Sequence, residues 1–190
     1  SELVRLLASE KNRLEKLENM VNPSKEIIES VRKLIQYLQD AIAALDTDIS
    51  DHISRYPRLS VNDELCQSSS GVGKVTSATL LGEAGDLSQF STVKQFTSFA
   101  GLAPMEFSSG SSVWKRSKIS RRGNARIRQC LYMAVMAAIR INPVLRRFYE
   151  HLLEQGKCKK VALVACMRKM LHLIWGVLKT RSHFDPQYAV

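Results

Sequence analysis

Four serines flank a single glycine in the run Ser108, Ser109, Gly110, Ser111, Ser112, and five cations follow closely: Lys115, Arg116, Lys118, Arg121 and Arg122. A serine hydroxyl among phosphate-neutralising cations has the residue types for phosphoryl transfer through a covalent phosphoserine. The oxygen attacks phosphorus in line, and the cations stabilise charge on the equatorial oxygens. The same set without an activated hydroxyl binds phosphate and does no chemistry. A serine-rich, glycine-containing loop alone is only a flexible connection. No His or Asp stands near these serines to act as base, and Glu106 is the closest carboxylate in sequence. On residue types, the segment reads as a nucleophile loop or as a phosphate-binding loop.

A second phosphate-like feature lies upstream, at Gly71-Val72-Gly73-Lys74. The phosphate loop of nucleotide triphosphatases needs an earlier glycine where Ser68 stands, and a Ser or Thr where Val75 stands, so that site is excluded. What remains is a glycine hairpin opening a helix over 74–83. Its backbone N–H groups either face a phosphate or merely close a tight turn between helices.

Charge separates along the chain. The total is +10, yet residues 1–60 carry net −1 and residues 61–104 net −2. Residues 105–190 hold 17 basic and 4 acidic side chains, net +13. A field of that sign and size attracts polyanions, so this region is expected to meet nucleic acid. The expected contacts are Gly71, Gly73, Lys74, Lys115, Arg116, Lys118, Arg121, Arg122, Asn124, Arg126 and Arg128. Cys66, Cys130, Cys158 and Cys166 form no CxxC pair and have no matching His spacing, which argues against a zinc site and for reduced intracellular thiols. No apolar run is long enough to suggest a membrane span.

The elements that must position these residues read as helices, so the expected class is all-α. Residues 1–60 read as a helical hairpin or coiled-coil element. Leu3, Leu7, Leu14, Leu17 and Val21 mark a short helix. After Pro23, the series Ile28, Ile35, Ile42, Ile49, Tyr56 and Val31, Leu38, Leu45, His52 form an a/d seam. That seam either packs on the first helix or associates with a second copy. Residues 61–190 read as a compact helical domain containing the Gly-Val-Gly hairpin and the Ser-Gly loop. Its remaining helices are expected over 92–100 with Ser91 as N-cap, over 124–141, after Pro143, and over 158–180 with Val161, Met167, Met170 and Ile174 in the core. Tyr132 and Trp175 read as core residues that could alternatively stack on bases.

Gly101-Leu-Ala-Pro104, Ser109-Gly110, Lys118-Ile-Ser-Arg-Arg-Gly-Asn124, Arg126-Ile-Arg128 and Leu131-Tyr132 follow one another in order. With Gly71-Val-Gly73, Gly85-Asp86 and Gly156-Lys157, this string resembles the C-terminal domain of the DEDD transposases. That is the IS one-ten/IS eleven-eleven insertion-sequence family, which includes Piv-type invertases and bridge-RNA-guided recombinases. The resemblance implies cutting and rejoining of DNA phosphodiesters, with Ser109 as the covalent nucleophile and Ser108 as its close competitor. It also implies a RuvC-like metal domain upstream of residue 1, where magnesium is expected. No cofactor is expected within these 190 residues. DNA, a guide RNA and further copies of the chain (a dimer or tetramer) are the implied partners, in a bacterial or archaeal cytoplasm. The competing class is a non-catalytic nucleic-acid-binding and dimerisation module.

Overall fold

The computed structural model describes residues 2–20, 22–85, 87–109, 113–120 and 122–187, with Ser88, 105–109 and 113–118 described by their backbone only. The chain divides into two compact units, Ser1–Tyr56 and Pro57–Val190. Residues 57–60, grouped above with the hairpin, begin the second unit.

In the first unit, α1 (Glu2–Glu18) folds back on α2 (Lys25–Arg55). Ser24 caps α2 by accepting a hydrogen bond from the Ile27 amide at 3.4 Å, and Glu18 pairs with Arg32 at 2.7 Å. Val31, Ile35 and Leu38 are buried, while Leu3, Leu7, Leu14 and Leu17 are half-buried, so α1 fills the first part of the seam. With about 1.5 Å of rise per residue, the 31-residue α2 outruns the 17-residue α1 by roughly 20 Å. Leu45 and Ile49, later in the same seam, are 48% and 45% exposed.

The second unit is built on α6 (Ala125–Ile141) and α8 (Lys159–Thr180). Around them pack α3 (Pro57–Ser68), α4 (Lys74–Ala84), α5 (Val93–Phe99) and α7 (Pro143–Glu154). Ile127, Leu131, Val135 and Ala138 recur at helical spacing on α6 and are fully buried, as are Leu171 and Ile174 of α8. Each large apolar side chain so buried contributes about 1.5–3 kcal/mol. Asn142 both ends α6 and caps α7, where its side chain accepts from the amides of Val144 and Leu145. By length and composition α8 could cross a membrane, but it buries its apolar face inside the unit, as a core helix does. Cys66, Cys130 and Cys166 are pushed up by burial, to about 12, 11 and 11 respectively, whereas Cys158 is exposed.

The class is all-α, with one two-stranded ribbon. The segment read as a Ser-Gly loop pairs as antiparallel strands β1 (Pro104–Ser109) and β2 (Val113–Ile119), with a register shift between Met105 and Phe107. Two arms of similar length close together in sequence favour such a hairpin. Residues 57–68 form a helix, with Pro57 at the first position, where its missing N–H costs nothing. Two smaller expectations are corrected. Thr92, not Ser91, caps α5, accepting from the Gln95 amide, while the Gln95 side chain accepts from the Ser91 amide. Val161 is 53% exposed and lies outside the core.

Candidate nucleic-acid interface

The hairpin is pinned at its base by backbone pairing. Gly101 follows α5 at φ +70°, where its amide donates to Ser98 O at 2.8 Å and the Leu102 amide donates to Thr97 O at 2.9 Å. That left-handed turn sends the chain into β1. On the return, the Ser120 amide donates to Ala103 O at 3.2 Å and the Asn124 amide to Phe99 O at 2.8 Å. Gly123 lies directly on this seam. A Cβ there would meet the backbone of Gly101 and come within 2.6 Å of Phe99 O. The two glycines therefore let the outgoing and returning chains touch backbone to backbone.

Arg128 braces the same place. It is half-buried on α6, and its guanidinium donates to Ala100 O at 3.1 Å and Gly123 O at 2.7 Å. Asn124 caps α6, its Oδ1 accepting from the amides of Arg126 and Ile127 at 2.9 and 3.1 Å. Its Nδ2 donates to Glu83 Oε2 at 2.6 Å, and Arg126 donates to Glu83 Oε1 at 2.8 Å. Hydrogen bonds from Asn124 and then Arg126 hold the Glu83 carboxyl below its ordinary range. Arg126 is 80% exposed despite this pair, and Arg122 is exposed in the turn before α6.

Ser108 and Ser109 end β1, across from Trp114 and Val113. Lys115, Arg116 and Lys118 lie on β2, with Lys115 opposite Phe107 and Lys118 opposite Met105. Gly110, Ser111, Ser112 and Arg121 lie outside the described residues. The ribbon thus carries the serines on one strand and the cations on the other, above the base from which Arg122, Asn124, Arg126 and Arg128 follow.

The Gly-Val-Gly turn divides by role. Gly71 adopts φ +99° against α6, and a Cβ there would meet the Ala138 side chain and come within 2.8 Å of its Cα, so Gly71 serves helix packing. Gly73 caps α4 without a side-chain hydrogen bond and has open space around it; Lys74 beside it is exposed. Trp175 is half-buried, 5.8 Å from Phe96 and under the Lys179 ammonium at 4.8 Å, whereas Tyr132 is 38% exposed. Among the described residues, no three His, Cys, Asp or Glu side chains come together in a way that could hold a metal ion. Glu83 is the member of this surface that the sequence pattern does not reveal. It lies 41 residues from Asn124, and only the packing of α4 on α6 joins them.

A helical domain with a serine-bearing ribbon and a basic flank is the type this geometry defines. Residues 63–150 match the family described as Transposase IS116/IS110/IS902 family. It is similar to the pilin gene-inverting protein of Moraxella lacunata, 34% identical over 154 residues, covering 80% of this chain and 48% of the relative. The transposase for insertion sequence element IS1111A of Coxiella burnetii is 28% identical over 161 residues, covering 81% and 44%. The 43.6 kDa protein of insertion element IS110 from Streptomyces coelicolor is 26% identical over 161 residues, covering 85% and 38%. The chain spans about half the length of the curated relatives it matches first.

Proposed function

We propose that this chain is part of a DNA transposase or site-specific recombinase, and that its serine ribbon attacks DNA phosphodiesters. The observation that carries the reading is the ribbon itself, within a chain similar to a gene-inverting protein and to transposases. In the proposed step, Ser109 Oγ loses its proton and bonds to phosphorus, and the bond to one strand's oxygen breaks. That oxygen leaves as the strand's hydroxyl, taking up a proton. A hydroxyl of the exchanging strand then attacks the phosphoserine and releases the serine, restoring a phosphodiester. Ser108 is the alternative nucleophile. Lys115, Arg116 and Lys118 with the Arg122 flank neutralise the phosphate charge.

In the proposed whole protein, a RuvC-like domain upstream completes the site and its magnesium supplies further charge stabilisation. The part proposed for the residues of this chain is to place the hydroxyl, neutralise phosphates and hold the ribbon. The proposed setting is the cytoplasm of a bacterium or archaeon.

Binding is tested by salt dependence. Each neutralised phosphate lowers log affinity on duplex DNA by about 0.9 per decade of salt. Replacing Arg121, Arg122 and Arg126 together by Ala is expected to flatten the slope by about two to three contacts' worth on the same rule. An unchanged slope would move the binding surface elsewhere, to Lys157, Lys159 and Lys160. The same titration on a structured RNA tests whether a guide RNA shares this surface.

The proposed assembly is a homo-oligomer, a dimer or tetramer joined through the part of the α2 seam that α1 leaves open. Leu45 and Ile49 supply its exposed apolar positions, and β-branched a with Leu d residues favour two strands. Sedimentation of the chain is expected to show a dimer that Leu45→Asp with Ile49→Asp converts to monomer. A native chain that sediments as a monomer at high concentration contradicts this assembly.

A further inference from the structure

Glu83 stands on the last turn of α4, and the proposed chemistry does not use it. Both of its oxygens are engaged: Oε2 by Asn124 Nδ2 at 2.6 Å and Oε1 by Arg126 Nη1 at 2.8 Å. The Asn124 amide cannot turn away without giving up the two backbone amides that its Oδ1 caps. The carboxylate is therefore fixed from one side and holds the arginine from the other. A guanidinium has five N–H donors, and Arg126 remains 80% exposed. One anchored nitrogen leaves the outward fork for a phosphate. A long side chain that is already held loses less rotamer freedom when it binds.

We propose that Glu83 is a positioning residue that presents Arg126 to a nucleic-acid phosphate. The inference rests on the reading of this unit as nucleic-acid-binding. A glutamate is ionised at neutral pH, and the hydrogen bonds from Asn124 and Arg126 hold the Glu83 carboxyl further below its ordinary range.

Raw affinity cannot test this, because Glu83→Gln also removes a negative charge and strengthens every basic contact alike. The test is the cost of losing Arg126 in two backgrounds, read on a short random-sequence DNA duplex with this chain. In the native background, Arg126→Ala is expected to lower the salt slope by about 0.9, one contact's worth. In the Glu83→Gln background the same substitution is expected to lower it by less than roughly half of that. Lys74→Ala, on the opposite end of α4, serves as reference, and its cost is expected to be equal in both backgrounds. An Arg126 cost that is equal or larger in Glu83→Gln overturns the inference and leaves the binding reading standing. A Lys74 cost that falls together with the Arg126 cost also overturns it, since Glu83 would then only support the fold. If the native chain shows no salt-dependent binding, the reading and the inference fall together.

Discussion

Gly123→Ala is expected to destabilise the second unit by about 3 kcal/mol or more, lowering its Tm by roughly 10 °C. The added methyl would meet the backbone of Gly101 and approach Phe99 O to 2.6 Å. Neither neighbour is the far end of a flexible side chain. Relief therefore requires the outgoing and returning chains to separate, which breaks the Asn124 amide bond to Phe99 O and disturbs the Arg128 brace. Gly73→Ala is the matched control. Its Cβ would meet nothing within 4 Å, and its φ of −93° suits any residue. Thermal denaturation of the two variants checks the contrast. A Gly123→Ala protein that melts with the native one would mean that the base of the ribbon is not held as described.

Ser109→Ala, in a full-length protein that includes the proposed upstream domain, is expected to lower strand exchange by about three orders of magnitude or more, the scale seen when a covalent nucleophile is removed. Duplex binding is expected to stay near native, since the cations are untouched. Retained binding with lost exchange separates a nucleophile from a structural residue. If Ser108→Ala produces the loss and Ser109→Ala does not, the mechanism stands with its nucleophile one residue earlier. Full exchange in both variants favours the non-catalytic binding and dimerisation module. The 190-residue chain by itself, without the proposed upstream domain, is expected to bind DNA but not to cleave it, because a serine hydroxyl is a weak nucleophile until a base or metal environment activates it.

The helices of the second unit are legible in the sequence because local signals and apolar spacing agree. Asn124 and Asn142 start helices, and Ile127, Leu131, Val135 and Ala138 trace the buried stripe of α6. α3 is not legible: its apolar residues follow no helical period, and Pro57 reads equally well as a stop or a start. The ribbon escapes for a different reason. Ser, Gly, Lys and Arg have weak strand preference, and the pairing depends on a base built from residues 97–103, 119–120 and 122–124. The site shows the same division. Serines and cations stand out by type, but Arg126 and Arg128 look alike in sequence and differ in the fold. One points outward from Glu83, and the other braces the backbone of the ribbon's base. Which arginine faces outward is decided by tertiary contacts with α4 and α5, and no local pattern encodes those.

The central claim is that a serine of this ribbon bonds covalently to DNA during strand exchange. The most direct measurement traps the reaction of the full-length protein with its DNA by denaturation, digests the protein, and maps by mass spectrometry the peptide that carries a nucleotide remnant. The account predicts a remnant on the peptide containing Ser108 and Ser109, attached through a serine oxygen and absent from the Ser109→Ala protein. DNA exchanged at the native rate with no linked peptide, or linked through a residue outside this ribbon, would contradict it.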